Sequence, residues 1–166
     1  MFGTLSDELE VKAPASEAWK VYGTLLLADV VRQQLPDVLH KIDVLEGDGG
    51  PGTKLKLTFP PDNKLISYSK EQFVVVDDQK MVKVAEVFEG GYLNLGFTLY
   101  RVTFQVFPNL NDESSCTTKC ILDYELKEDA AENASLINIQ PFTAIMKAAA
   151  NYLETGNATP TATTNN

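Results

Sequence analysis

Basic residues are scarce in this chain: 14 lysines and arginines stand against 23 aspartates and glutamates, a net charge of −9. That balance argues against nucleic acid or an anionic membrane as partner, since both select basic patches. Long apolar runs are missing too. No stretch approaches the ~18 residues that a membrane-spanning helix requires. The start, MFGTLSDELE, has neither a basic segment nor an apolar one. No secretory signal is read there, and the expected location is the cytoplasm. Histidine occurs once, at His40, which leaves no histidine cluster, and no metal is expected. Cys116 and Cys120 are the two cysteines. Four apart in an extended run, they would stand roughly 13 Å from each other, beyond the reach of a disulfide. Both read as small core residues.

What is present suits one globular domain. The 166 residues are 44% hydrophobic and 22% charged, enough for a sizeable core. LSDELEV, from Leu5, alternates as a strand. ASEAWKVYG follows Pro14 as a short helix, with Ser16 as its expected N-cap; Gly23 interrupts, and TLLLADVVRQQL forms a second helix before Pro36. Strand-like runs follow at about 39–46, 53–59, 66–76, 80–89, 95–107 and 115–126, bounded by Gly, Pro, Asn or Asp. From about Ala130 to Glu154, Phe142, Ile145, Met146, Ala149 and Leu153 recur at helical spacing. Pro141 lies inside that pattern, so the regular helix is expected to begin there. TGNATPTATTNN, residues 155–166, has nothing periodic to bury and reads as a disordered tail after a single domain of residues 1–154. Consecutive strands with short turns imply an antiparallel sheet, whose apolar face the long helix must cover.

Sorting the strand faces isolates two charges. Tyr100, Val102, Phe104 and Val106 share one face, and Cys116, Cys120, Leu122, Tyr124 and Leu126 another. In YSKEQFVVVDDQKMVKV, Glu71 falls with Ser69, Phe73 and Val75, while Lys83 falls with Met81, Ala85 and Val87. A three-residue loop at Asp77-Asp78-Gln79 would pair Phe73 with Lys83 and place Glu71 diagonal to it, ~7–8 Å away. A two-residue loop would separate the charges onto opposite faces. Val74, Val76, Val82 and Val84 make the alternate face apolar as well, so a pair of surface charges is the competing reading. If both charges face inward, burial favours the neutral form of each while mutual attraction opposes it. The pair would then supply a proton donor and an acceptor near neutral pH.

EGDGGPGT, residues 46–53, looks like a phosphate loop, but no Lys-Ser/Thr closes it and no helix follows. A glycine-rich turn is the preferred reading. With YSKE and FEGGYLNLG, residues 88–96, this loop resembles the plant pathogenesis-related class ten proteins, the birch-pollen-allergen family. The resemblance covers residues 3–154. It implies an α+β helix-grip fold, in which a curved seven-stranded antiparallel sheet wraps a long C-terminal helix, with two short helices and an internal hydrophobic cavity.

ELEV, GDGGPGT and EGGYLNLG resemble most the branch of norcoclaurine and norbelladine synthases. That likeness implies a condensing lyase of alkaloid biosynthesis, joining an arylethylamine to an aldehyde through an iminium, with Pictet–Spengler ring closure and no cofactor. It puts the family's catalytic lysine on Lys83 and its glutamate on Glu71. The norcoclaurine synthases carry a tyrosine two residues before the glutamate. Here Ser69 occupies that position, and a bulge would be needed to turn Tyr68 inward as the third catalytic group. Phe73, Phe104, Phe142 and Ile145, with Ser69 and Val102, would bind substrate. The ring-closing enzymes have an aspartate at the position of Val102, so the likeness carries the lysine–glutamate chemistry further than a particular substrate. Two rival readings stand beside it. One is a non-catalytic carrier of hydrophobic ligands such as hormones, flavonoids or alkaloids. The other is an enzyme whose lysine attacks the carbonyl itself. A monomer or weak dimer is expected.

Overall fold

A computed structural model describes residues 1–156. Strand β1 (Phe2–Val11) leads to helices α1 (Ala15–Tyr22) and α2 (Leu26–Gln34). Strands β2 (Lys41–Glu46), β3 (Lys54–Thr58), β4 (Tyr68–Asp77), β5 (Val82–Gly90), β6 (Phe97–Pro108) and β7 (Cys116–Leu126) follow, and helix α3 (Gln140–Thr155) closes the fold. The sheet is seven-stranded and antiparallel, in the order β1-β7-β6-β5-β4-β3-β2. Strands β2 to β7 form a meander, and β1 returns to pair with β7. This is the helix-grip arrangement. No described helix is long and apolar enough to cross a membrane.

The long helix covers the sheet with a small-residue seam. Ile145, Met146, Ala148, Ala149 and Ala150 are buried, and α3 packs on β1, β7, α1 and α2. Short side chains let the helix approach the sheet closely at its C-terminal half, while Phe142 and Ile145 face the cavity nearer its start. Pro141 sits in the first turn, where its missing N–H costs no hydrogen bond. Thr143 ties this end to β1, its hydroxyl donating to Asp7 Oδ2 at 2.6 Å.

Residues 128–136 form 3₁₀ turns, and the regular helix begins at Gln140, beside Pro141, as expected. Two other boundaries differ from the expectation. The N-cap position of α1 belongs to Pro14, not Ser16, and carries no side-chain hydrogen bond. Thr155 still belongs to α3 and Gly156 caps it in the left-handed region at φ 67°. The rest of the expected tail, 157–166, lies outside the described residues. The glycine loop is a turn between strands. Gly47, Gly49 and Gly52 have φ of 90°, 109° and 90°, and the Gly49 N–H donates to Thr53 Oγ1 at 2.8 Å.

Candidate active site

The inward placement of both charges depends on a defect in the ladder. Asp77 pairs with Val82, so the turn holds four residues, not the three required by simple alternation. Asp77 Oδ1 accepts the N–H groups of Gln79 and Lys80, and Met81 leaves the turn at φ 54°. An even turn pairs Val76 with Lys83. Without correction, Glu71 would then face away from Lys83. The register shifts between Phe73 and Val75, making Val74 an extra residue that restores parity. Val74 and Val75 are both exposed, Phe73 pairs with Ala85 rather than Lys83, and Glu71 returns to the inner face.

That face encloses a cavity of about 360 Å³ between the concave sheet, α2 and α3, within the range of small-molecule sites. Glu71 and Lys83 line it, as do Ser69, Phe73, Val102, Phe104, Phe142 and Ile145. Lys83 is 4% exposed and Phe73 3%, and the lysine Nζ lies 4.7 Å from the Phe73 ring centroid. The ring face offsets part of the cost of desolvating the cation. Glu71 is half-buried. Burial raises its pKa to about 7 against the opposing pull of Lys83. Burial also lowers the Lys83 pKa to about 8 against the opposing pull of Glu71. At neutral pH the lysine is mostly ammonium and the glutamate is poised between its two forms.

Tyr68 is a correction. Its side chain lies on the outer face, where the hydroxyl donates to Glu89 Oε2 at 3.0 Å and Lys56 Nζ sits 5.1 Å from the ring centroid. A bulge does occur nearby, but its extra residue is Phe88 on β5, since Lys70 pairs with Glu89 and Glu71 with Val87. The alternation of β4 is unbroken from Tyr68 to Glu71, so Ser69 and Glu71 share the inner face and Tyr68 is excluded from it. Phenols do line the cavity, from Tyr92 and Tyr100. Alternation had placed Tyr100 inward, two residues before Val102, without assigning it to the site. Tyr92 sits in the 3₁₀ segment Gly91–Leu95, where no strand period reveals its direction. The exposed residues Thr24, Asp37, Asn63 and Asn138 also line the cavity and mark its mouth. Among the described residues no cluster of three His, Cys, Asp or Glu side chains could hold a metal ion.

A family model described as "Pathogenesis-related protein Bet v 1 family" matches residues 1–155. Norbelladine synthase of Narcissus pseudonarcissus is 40% identical over 153 residues, covering 92% of this chain and 93% of that protein. S-norcoclaurine synthase 2 of Papaver somniferum is 37% identical over 151 residues, covering 88% of this chain, which spans only 63% of that longer relative. The solved structure of norcoclaurine synthase from Thalictrum flavum in complex with dopamine and hydroxybenzaldehyde superposes with a TM-score of 0.83 at 33% identity, covering 95% of this chain and 89% of that one.

Proposed function

Because the chain belongs to the pathogenesis-related Bet v 1 family, and two of its relatives are norbelladine and norcoclaurine synthases, we propose that it condenses an arylethylamine with an aldehyde through an iminium. The observation that carries the reading is a buried lysine and a glutamate on one wall of one apolar cavity, with pKa values drawn toward neutrality from opposite sides.

The steps follow from those charges. Free amine attacks the aldehyde carbon and gives a carbinolamine. Lys83, as ammonium, gives its proton to the carbinolamine hydroxyl; the C–O bond breaks, water leaves, and the nitrogen lone pair forms the iminium. The electron-rich aryl ring then attacks the iminium carbon in a Pictet–Spengler closure. Glu71, as carboxylate, takes the ring proton and restores aromaticity. Each transfer is of the kind worth typically ~10²–10⁴ in rate. Val102 supplies no second carboxylate, so proton removal from the ring falls to Glu71 alone. The outward Tyr68 has no part in these steps.

Burial of Lys83 also favours its neutral amine, and a lysine attacking the aldehyde directly would leave an adduct that borohydride traps. In the condensing mechanism the substrate supplies the nitrogen and no protein adduct forms. The test is a panel of arylethylamines with aromatic and arylacetic aldehydes, with product resolved on a chiral column and a protein-free blank subtracted. Product above the blank with one enantiomer in excess is expected. Blank-rate, racemic product across the panel would leave a carrier of hydrophobic ligands as the better reading.

A further inference from the structure

No residue of helix α1 lines the cavity, yet the helix backs the strand that carries Lys83 at two points. Trp19 Nε1 donates to Asp78 Oδ1 at 2.9 Å, in the turn between β4 and β5. Three residues on, the Tyr22 ring meets that of Phe104, with centroids 5.4 Å apart. Phe104 is the β6 residue paired with Lys83. Residues three apart share a helical face. One side of α1 therefore supports both the turn that leads into β5 and the ladder position of the lysine.

The tryptophan is fitted closely to this place. It is 9% exposed, and its ring lies back over the end of its own helix. A Cβ on Gly23 would stand 2.4 Å from the Trp19 Cε2, so a side chain there would displace the indole and its hydrogen bond. The turn in question needs an outside hold. Met81 stands at φ 54°, a conformation that a residue with a side chain keeps only where its surroundings over-determine it. Asp77 Oδ1 braces the turn from within, by accepting the N–H groups of Gln79 and Lys80. The Val106 N–H donates to the Met81 carbonyl at 3.0 Å. Trp19 grips the turn from α1. The register leaves little tolerance, because the four-residue turn and the extra residue Val74 cancel in parity. A change of one residue at either would turn Lys83 or Glu71 to the outer face. Lys83 is the second residue of β5, the first inward side chain of the strand.

We propose that Trp19 and Asp78 are positioning residues for the acid–base pair: their hydrogen bond is a latch that fixes the β4–β5 turn and so holds the Lys83 side chain inside the cavity, on one wall with Glu71. The effect of the latch on turnover rests on the condensing reading above; its hold on Lys83 does not. Neither residue touches a ligand. Without the bond the turn relaxes, Met81 leaves the left-handed region, and the lysine stem swings towards water.

The chain carries its own reporter. Trp19 is its one tryptophan, so a single indole N–H resonance in a proton–nitrogen spectrum reads the bond itself. Lys83 is read separately, by pH titration of protein isotope-labelled at lysine Cε, its signal being the one missing from Lys83→Met. Asp78→Ala removes the acceptor, Asp78→Asn keeps a carbonyl oxygen in its place, and Trp19→Phe removes the donor but keeps a ring. Glu71, Asp37, Tyr92 and Tyr100, the other titratable groups lining the cavity, are the same in all three. Burial lowers the Lys83 pKa to about 8 in the native protein. Release towards water should raise that midpoint by about one unit in Asp78→Ala and in Trp19→Phe, and the double variant should shift no further than either. Asp78→Asn should restore the wild-type midpoint and indole signal. With substrates, kcat should fall about 10-fold in Asp78→Ala while KM stays within about 2-fold. Asp78 is exposed, so neither change there opens the core; if Trp19→Phe does not fold, the two Asp78 variants decide alone. An unmoved Lys83 midpoint in Asp78→Ala would overturn the assignment, and so would an Asp78→Asn variant that shifts as far. A midpoint that shifts in a protein that condenses no amine–aldehyde pair leaves the latch standing and removes the condensing reading.

Discussion

Replacing Lys83 with methionine should make the protein more stable at neutral pH. Methionine matches the length of the lysine stem and carries no charge. Lys83 is 4% exposed, and desolvation lowers its pKa from 10.5 to about 8 despite attraction from Glu71. A depressed lysine pKa means that the unfolded chain binds the proton more tightly than the folded one. The folded protein bears this cost in full below pH 8 and sheds it as pH rises to 10.5. At 1.36 kcal/mol per unit, the shift corresponds to about 3 kcal/mol. Lys83→Met should therefore raise the melting temperature at pH 7 by roughly 6–12 °C, taking about 2–4 °C per kcal/mol for a chain of this size. Glu71 loses its cation, but can protonate at neutral pH and so limits the penalty. Thermal melts of both proteins from pH 6 to 10.5 provide the assay. The advantage of the variant should hold up to pH 8 and vanish by about 10.5. A variant less stable at pH 7, or a gap that ignores pH, would refute the claim that Lys83 is a cation held at a cost.

Glu71→Gln should show the converse. The raised folded pKa of Glu71 favours the folded state below 4.5, and that support is lost as pH rises through about 7; melts should find the glutamine variant level with wild type at pH 4.5 and more stable at pH 7.5. Chromatography of its reaction mixtures should find imine formed but ring closure slowed, by ~10²-fold or more. Tyr68→Phe removes a hydroxyl on the outer face, so steady-state kinetics should find kcat/KM within about 2-fold of wild type.

The fold and the site were not equally legible in the sequence. Alternation in YRVTFQVF and CTTKCILDYEL identified the inner faces of β6 and β7, because these strands pair in step over most of their length. The spacing of Phe142, Ile145, Met146 and Ala149 likewise located the covering helix. Glu71 and Lys83 were harder, since both faces of the β4–β5 hairpin are rich in valine. The expected three-residue turn placed them on one face, whereas the structure reaches the same face by an even turn and a bulge at Val74. Two irregularities cancel in parity, and a period of two cannot reveal either. Tyr68 failed for a related reason: the bulge near it belongs to β5, and nothing in YSKE says which strand carries the extra residue. Tyr92 was hidden because a 3₁₀ segment has no strand alternation to project.

The central claim is that Lys83 donates the proton that expels water from the carbinolamine. The most direct measurement is the blank-corrected rate of product formation by wild type and Lys83→Ala at matched, subsaturating substrate, with folding of both checked by circular dichroism. The account predicts a fall of ~10²–10⁴-fold in the variant, with affinity for an inert phenolic probe held within a few-fold. A variant that turns over substrate at the wild-type rate would contradict it.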